Sequence, residues 1–375
     1  MPEDEEENVQ PPVLTASVHD VRYFAALLRG VNFVNRATVT VTSRGLTITV
    51  EEARTLLGTA FIFADIFDEY AYHSESPPAE QSSQLSQDGD DEQEPEVVDN
   101  AAFEIPLNTL IECLNIFGTA GPVSTNNSGD KFKKWRRAED GSDDDDGDDN
   151  GRRGGRRGVS GGGGGPLDAY FGGGSEKRTG MRMSYAGSGY PLTLLIAEDA
   201  SGPTTTCEIT TYEPEPHLEL EFDNTRMVLK IILKSSWLRE ALSELDPSCE
   251  KLTFIGNPPP TAGTAARQKQ RNLSEPMLRI QAAGTFGSTE MDYPNDRDVL
   301  ETFECTQTVS FSYRFGHISR TLRALQSSTK TSLRIDEEGL LSLQFLMPSP
   351  KPKSATGETT DAFIEFRCLA LDDEL

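Results

Sequence analysis

Ser17–Gly30 (SVHDVRYFAALLRG) decides the fold, because its helical periodicity runs directly into alternating strand patterns at Thr38–Val50 and Thr59–Tyr70. Later in the chain, Ser235–Asp246 (SSWLREALSELD) begins the same succession of a helix followed by strands. The sequence therefore predicts an α+β protein with two like halves, an arrangement that favours a curved or ring-forming object. Second helices are predicted at Pro106–Gly118 and His317–Ser328, each followed by a hairpin pattern.

The strand patterns carry their own turn signals. Thr38–Val50 (TVTVTSRGLTITV) alternates around Ser43–Gly45, which predicts a hairpin, and Thr59–Tyr70 (TAFIFADIFDEY) is a strand interrupted near Asp65. Asp336–Phe345 (DEEGLLSLQF) is a second hairpin signal. These patterns predict antiparallel pairing within each half.

Composition sets the limits of the ordered part. The 375 residues include 61 acidic and 35 basic ones, for a net charge of −26, and 36% are hydrophobic. Much of the acidity lies in the apolar-poor stretches Glu3–Glu7, Ser74–Asn100 and Thr119–Gly180. An acidic body argues against a protein that grips nucleic acid over its whole surface, but it permits one that confines its bases to a single face.

These composition shifts suggest the domain plan. We expect an acidic disordered N-terminus, a first domain with two insertions, a proline-punctuated connector and a second domain with two loop insertions. The corresponding ranges are 1–12, 13–211 (insertions 74–100 and 119–180), 212–223 and 224–375 (insertions 257–275 and 348–358).

Cysteine and histidine usage points away from disulfides and metals. The cysteines never form a CxxC pair, which is typical of thiols in a reducing compartment, and the histidines form neither HxH nor HExxH. No apolar run is long enough to span a bilayer and the N-terminus does not look like a signal peptide, so we expect a soluble intracellular protein. We predict no cofactor and no metal site. The five cysteines are Cys113, Cys207, Cys249, Cys305 and Cys368.

Three of the four predicted helices have a basic outer face. In the first, Val18, Val21, Ala25 and Leu28 form the apolar stripe, and the basic residues lie on another face. The second helix is not basic, since its outward residues are Asn108, Glu112 and Asn115. Such bases can be plain solvated charge or contacts to phosphate. The outward bases of the other helices are Arg22 and Arg29, then Lys234 and Arg239, then Arg314, Arg320 and Arg323.

Two further charged features have competing interpretations. Glu219, Glu221 and Asp223 alternate on one strand face, as the metal-binding carboxylates of a nuclease could, but a solvated acidic face explains them more simply. The basic-aromatic cluster Lys131–Arg137 and the GRRGGRRG run could be a nuclear import signal or a nucleic-acid contact. They could equally belong to a polyampholyte loop neutralised by the acidic block that lies between them.

Several segments resemble one family. Thr59–Tyr70, Gly187–Ile196, Leu233–Asp246 and above all Thr285–Thr308 (TFGSTEMDYPNDRDVLETFECTQT) are similar to the "1" subunit of the 9-1-1 checkpoint clamp, a heterotrimeric relative of the sliding clamp PCNA. The resemblance implies a DNA-clamp (PCNA-like) fold, with two domains of βαβββ repeats, helices lining a ring interior and β-sheets outside.

The same resemblance implies a non-enzymatic subunit of a heterotrimeric checkpoint clamp, which encircles DNA at damage sites and serves as a platform for checkpoint signalling and repair proteins. The partners would be two other clamp-like subunits, duplex DNA near single-strand junctions, a clamp loader, and checkpoint and repair proteins, in the nucleus and without a membrane. Alternatives are a 3′→5′ exonuclease, an activity at times ascribed to this family, or a repair scaffold that never encircles DNA. The edge strands predicted to pair with neighbours are Thr204–Tyr212 and Asp336–Phe345.

The resemblance also turns the charge pattern into predicted site residues. The seven bases on the helices would face DNA, and partner proteins would dock beside the connector. The predicted DNA-facing residues are Arg22, Arg29, Lys234, Arg239, Arg314, Arg320 and Arg323, and the predicted partner-binding residues are Tyr212, Glu213, Pro214, Leu218, Leu220 and Phe222.

Overall fold

The two halves of the chain repeat the same order of elements, β-α-β-β-β-β-β-α-β-β-β. The computed structural model describes residues 11–74, 100–120, 178–198, 202–259, 276–294, 296–350 and 361–372. These residues belong to one compact unit. The domain boundary at the connector and the predictions for the N-terminus, the insertions, Lys131–Arg137 and GRRGGRRG therefore stay predictions.

The described residues of the first half form nine strands and two α-helices. They are β1 (Leu14–Val18), α1 (Val21–Val31), β2 (Arg36–Thr42), β3 (Gly45–Glu52), β4 (Leu56–Phe63), β5 (Glu69–Tyr72), β6 (Ala101–Pro106), α2 (Leu107–Leu114), β7 (Gly180–Tyr185), β8 (Leu192–Ala197) and β9 (Thr204–Ile209).

In the described part of the second half, the order of strands and α-helices is the same, but the second helix is divided at Thr321. The elements of this half are β10 (Met227–Lys234), α3 (Ser235–Ser243), β11 (Cys249–Gly256), β12 (Leu278–Gly284), β13 (Gly287–Tyr293), β14 (Leu300–Cys305), β15 (Val309–Arg314), α4 (Phe315–Arg320), α5 (Leu322–Ser327), β16 (Lys330–Asp336), β17 (Leu341–Met347) and β18 (Ala362–Cys368). The predicted duplication and α+β class are thus confirmed.

The strands of the described residues form three antiparallel sheets. A five-stranded sheet has the order β5-β1-β7-β8-β9, and a four-stranded sheet has the order β13-β12-β11-β15. The third sheet has nine strands in the order β14-β10-β16-β17-β18-β4-β3-β2-β6. It joins the two halves through the pairing of β4 with β18, in which Phe61 lies opposite Phe363.

Local chemistry explains how the key elements begin. Asp20 is the N-cap of α1, where its carboxylate accepts a hydrogen bond of 3.0 Å from the Arg22 amide. The hairpin between β2 and β3 requires Gly45, whose φ is +140° and at which a Cβ would lie 2.2 Å from the Ile62 carbonyl oxygen. The predicted break near Asp65 is a 3₁₀ turn between β4 and β5.

The helices form a layer on one side of the sheets. α1 packs against both α2 and α5, and α5 packs against α3, so the helices lie side by side in the order α2-α1-α5-α3. In α1 the predicted apolar stripe is buried, including Val21, Ala25 and Leu28, while Arg22 and Arg29 remain partly exposed. The helical layer therefore presents a polar face away from the sheets.

One predicted edge is wrong. Asp336–Phe345 does form a hairpin, but β17 lies between β16 and β18 inside the nine-stranded sheet. Its backbone groups are used on both sides, so this segment has no edge to offer a neighbour. Thr204–Tyr212, in contrast, contains β9, which ends the five-stranded sheet.

Among the described residues, no helix combines the length and the apolar character that crossing a membrane requires.

Candidate nucleic-acid and partner interfaces

Arg22 lies on the outer side of α1, where its guanidinium is hydrogen-bonded to the carboxylate of Asp20. Its Nε and Nη2 donate hydrogen bonds of 2.7 to 3.0 Å to the Asp20 carboxylate. Burial alone would raise the pKa of Asp20, but the hydrogen bonds from Arg22 outweigh it and hold this pKa below its usual value. The charge of Arg22 is therefore largely neutralised within the protein.

Two more of the predicted DNA-facing arginines bind the opposite half of the chain. Arg320, at the end of α4, forms a two-point ion pair with Glu52 at 3.0 and 3.2 Å. Arg323, in α5, donates a hydrogen bond of 2.8 Å to the carbonyl oxygen of Asn32, the C-cap of α1. Both side chains are exposed, so they can still present charge to solvent while they join the halves.

The four other predicted bases have no hydrogen-bond or ion-pair partner among the described residues. Arg29 lies in the last turn of α1, and partial burial lowers its pKa, though far too little to remove its charge near pH 7. Lys234 immediately precedes α3, where a cation is unfavourable because it meets the positive end of the helix dipole. These bases are Arg29, Lys234, Arg239 and Arg314.

The acids on the helical layer are not evenly distributed. Glu112 is exposed on α2, and Glu240 and Glu244 are exposed on α3 and at its C-cap. α1, α4 and α5 contain no acidic residue. The surplus of positive charge is therefore concentrated in the middle of the layer, where the two halves meet.

Two carboxylates of the nine-stranded sheet hold the connector, residues 212–223, against the outer face of that sheet. Buried Glu104 of β6 accepts a hydrogen bond of 2.8 Å from the Glu215 amide and also pairs with Arg36. Glu51 of β3 accepts one of 2.7 Å from the Leu218 amide. The connector is thus a fixed surface at these points.

A buried ion group holds the far end of the connector. Glu365 lies between Arg334 and Arg367, at 3.1 and 2.9 Å, and its side chain is 4% exposed. Arg367 donates a hydrogen bond of 2.7 Å to the Leu220 carbonyl oxygen, and Arg334 lies 4.8 Å from the centre of the Phe222 ring. Burial lowers the pKa of Arg334. Removing one member would leave an uncompensated buried charge.

The predicted partner-binding residues differ in accessibility. Tyr212, Glu213 and Pro214 are exposed, while Leu218 and Phe222 are partly buried and Leu220 is 7% exposed. Among the predicted partner-binding residues, only those in the first part of the connector therefore present their side chains fully.

Sequence patterns did not reveal the apolar row on the same outer face. Phe61 and Phe363 stack across the β4–β18 pairing with ring centres 4.4 Å apart, and Phe63 lies beside them. Leu346, two strands from Phe61, is 37% exposed. Each residue could be found as the outward position of a strand, but their alignment depends on the register between distant strands.

The junction between the halves has counterparts at the ends of the structure. β9 occupies in the first half the place of β18 in the second, and β13 occupies the place of β4. β4 ends a group of four strands and β18 ends a group of five, and together they make the nine-stranded sheet. β13 and β9 end the separate four- and five-stranded sheets in the same way.

The helices show the same correspondence. Tyr23 is the third residue of α1, and its hydroxyl donates to the Met347 carbonyl (2.7 Å) and accepts from the Ala362 amide (3.2 Å) across the junction. Trp237 is the third residue of α3, the counterpart of α1, and is 41% exposed. An aromatic residue that is partly buried and hydrogen-bonded at the internal junction thus has an exposed counterpart at the other end of the fold.

The described residues contain no group of three or more histidine, cysteine or acidic side chains that could hold a metal ion. Glu219, Glu221 and Asp223 are all exposed, and the Asp223 carboxylate caps the following turn by accepting from the Thr225 amide at 2.7 Å.

Comparison with known proteins identifies relatives over the whole chain. The model of the family described as "Repair protein Rad1/Rec1/Rad17" matches residues 13–347. "DNA repair exonuclease REC1" of Mycosarcoma maydis is 31% identical, with 96% of each chain covered. "Cell cycle checkpoint protein RAD1" of Homo sapiens is 29% identical, with 96% of this chain and 93% of the human protein covered.

A solved structure supports the fold independently. Proliferating Cellular Nuclear Antigen from Entamoeba histolytica superimposes with a TM-score of 0.57, covering 96% of this chain and all of the other, at 10% sequence identity. The predicted PCNA-like clamp fold is therefore confirmed.

Proposed function

Because the chain belongs to the Rad1/Rec1/Rad17 family of repair proteins and has a sliding-clamp fold, we propose that it is one subunit of a heterotrimeric checkpoint clamp in the nucleus. The ring encircles DNA at damage sites and serves as a platform for checkpoint and repair proteins. The observation that carries this proposal is the correspondence between the internal junction and the two sheet ends, β9 and β13.

Ring closure follows from that correspondence. Pairing β13 with the β9 counterpart of a neighbour would build another nine-stranded sheet of the kind found inside the chain, with added backbone hydrogen bonds across subunits. The exposed Trp237 would then be covered as Tyr23 is at the internal junction. Each subunit uses both ends once, so the assembly closes when the rotation per subunit permits.

The helical layer supplies a surface for duplex DNA. Its surplus of bases lies near the middle of the subunit, and the rest of the chain is acidic, so DNA is attracted to the ring interior. Contacts of this kind reach phosphates and carry no sequence information. A topologically linked ring needs no tight binding, which suits the modest number of unpaired bases.

Partner proteins have two exposed surfaces on the outer side. The first is the start of the connector, at exposed Glu213 and Pro214, and the second is the partly exposed apolar row around Phe61 and Phe363. Both lie on the nine-stranded sheet, away from the helical layer. Bound partners would therefore not interfere with the passage of DNA.

The test is retention on DNA of defined topology. The chain is purified with two clamp-like subunits and loaded, with a clamp loader and ATP, onto a gapped circular plasmid. We expect the complex to remain bound at high salt and to be released when the plasmid is cut once, because only encirclement depends on circularity. Equal retention before and after cutting would contradict the ring and favour a scaffold that does not encircle DNA.

The name of the Mycosarcoma maydis relative keeps a 3′→5′ exonuclease as the second candidate. The non-enzymatic proposal is supported by the exposed, separated positions of Glu219, Glu221 and Asp223 on the connector. The exonuclease hypothesis predicts that the purified chain releases nucleotides in the presence of Mg²⁺ or Mn²⁺. It also predicts that Glu221→Ala and Asp223→Ala abolish this release. We expect no release of nucleotides that depends on Glu221 or Asp223.

A further inference from the structure

Phe286 is the most exposed large apolar side chain of the described residues, at 86%. It lies at the tip of the hairpin between β12 and β13, directly before the first residue of β13. Nothing in the described part of the chain covers it. Covering this apolar ring with a partner surface would gain free energy in proportion to the apolar area removed from water.

An apolar groove lies close to the end of β9, the other proposed ring end. It has a volume of about 470 Å³ and is lined mainly by Val34, Ile105, Pro106 and Tyr212. Tyr212 follows the last residue of β9 by three positions and is 58% exposed, while its backbone pairs with Glu104 of β6. The groove therefore begins where the edge of β9 ends.

The internal junction shows where a hairpin tip falls when these strands pair. There the residue before β4, Thr55, accepts a hydrogen bond of 3.0 Å at its carbonyl oxygen from the amide of Leu369, the residue after β18. The residue before β13 is Phe286, and the residue after β9 is Thr210. If β9 pairs in this register with the β13 counterpart of a neighbouring subunit, a residue at the tip of that neighbour's hairpin lies opposite Thr210. Thr210 is two residues from Tyr212.

On the basis of the proposed ring, we propose that each junction of this subunit has an apolar anchor. The groove at Tyr212 receives a large apolar side chain from the hairpin tip of one neighbouring clamp subunit. Phe286 enters the equivalent groove of the other neighbour. The occupant is thus a hairpin tip of a clamp-like chain, delivered by antiparallel pairing at β9, and not a free peptide.

A groove at one end of the fold and a hairpin tip at the other end match each other, and this match supports the proposed occupant. The groove is apolar where β9 stops, and the tip is apolar where β13 starts. The internal junction brings these two positions together in the chain itself. Aromatic anchors that fill a pocket on the partner commonly dominate the energy of an interface.

The test uses pairwise assembly with the two clamp-like subunits that purify with the full chain. Dissociation constants are measured for each pair with the wild-type chain, Phe286→Ala and Tyr212→Ala. We expect Phe286→Ala to raise the dissociation constant about tenfold or more for one neighbour, and Tyr212→Ala to do so for the other. Thr285→Ala, at the same tip, is the matched control and should leave both constants unchanged.

The outcomes separate this inference from the proposed function. If the wild-type chain forms no pair with either subunit, the ring proposal itself fails. If the wild-type pairs form but Phe286→Ala and Tyr212→Ala leave them unchanged, or weaken the same pair, the ring stands and the anchor is overturned. All three side chains are exposed, so thermal melting should be unaltered and loss of fold cannot imitate the effect.

Discussion

The guanidinium of Arg323 donates a hydrogen bond of 2.8 Å to the carbonyl oxygen of Asn32, although the two residues lie in different halves of the chain. Asn32 is the C-cap of α1, where the helix dipole favours a cation. An arginine predicted to face DNA thus also holds the internal junction. Substitutions on the helical layer should separate contact with DNA from stabilisation of the internal junction.

Replacing Arg323 with alanine should weaken the fold. The unpaired carbonyl at the end of α1 and the lost link between the halves should lower the free energy of unfolding by up to about 1 kcal/mol, a modest value because the arginine is exposed. Urea unfolding measures this. Arg314→Ala is the control, since Arg314 has no hydrogen-bond or ion-pair partner among the described residues, and an equal loss there would contradict the role of the Asn32 contact.

Neutralising the four unpaired bases should shorten the residence of the clamp on DNA. Replacing Arg29, Lys234, Arg239 and Arg314 together with glutamine removes charge without breaking a described hydrogen bond or ion pair. Sliding off a linear plasmid should become faster at low salt, and the difference should vanish at high salt because screening removes the contribution in both proteins. Assembly should be unchanged. Unaltered residence at low salt would remove these residues from the DNA interface.

Asp20→Asn should strengthen contact with DNA, whereas Arg22→Ala should change it little. The carboxylate of Asp20 neutralises Arg22, and asparagine keeps the N-cap acceptor while removing the negative charge. Residence on plasmid DNA at low salt is the measurement. A marked loss in Arg22→Ala would show that Arg22 contacts phosphate despite Asp20.

Stability of the same variant should depend on pH. The pKa of Asp20 is held below its usual value in the folded chain, so its ionised form adds stability above the unfolded pKa of about 4, and this is lost as pH falls through the folded pKa. We expect Asp20→Asn to be less stable than wild type at pH 7 and the two to converge in acid. A constant difference across this range would contradict the ion pair.

Gly30→Ala should destabilise the internal junction. A Cβ at Gly30 would lie 2.4 Å from the Cδ1 of Ile364, which is fully buried on β18 and has little room to shift. Overpacking of this kind costs about 1–3 kcal/mol, and the better helix propensity of alanine offsets up to about 1 kcal/mol of it. Gly118→Ala is unsuitable as a control because its φ is +71°, whereas Gly316 has no atom near the added methyl. A Gly316→Ala variant should therefore melt like wild type.

The cysteines should react in two classes. Burial raises the pKa of Cys368 to about 12, and burial with the neighbouring Cys207 raises that of Cys113 to about 11. Both stay protonated near pH 8 and are poor nucleophiles. A thiol reagent at pH 8 should modify buried Cys368 only after unfolding and partly buried Cys113 slowly in the folded chain, as mass spectrometry of labelled peptides would report. Rapid labelling of Cys368 in the folded chain would contradict its burial.

The sequence was sufficient for features that repeat along the backbone. The hairpin at Gly45 and the break near Asp65 are local patterns, and both have the predicted form in the structure. The apolar stripe of α1 has the predicted form only from Val21 onward, because Val18 belongs to β1 and the helix begins after its N-cap Asp20. The duplication could be read because helix and strand periods recur in the same order. Such signals need no knowledge of what lies across the fold.

Contacts between distant residues could not be read in this way. Glu52 and Arg320 meet only because the two halves pack, and neither lies in a pattern that names the other. The same holds for Glu51, which fastens the connector at Leu218. The Asp336–Phe345 edge was wrong for a related reason: alternation shows that a strand exists, but not how many strands flank it.

The connector between the two halves determines where a ring of these subunits could open to admit DNA. A ring of three such chains would contain six strand pairings of one kind, three inside chains and three between them. The inner ones are tethered by a connector and reinforced by Tyr23, Arg320 and Arg323. Opening would therefore be confined to the untethered pairings, so a loader that opens the ring would act at β9 or β13 and leave each chain rigid.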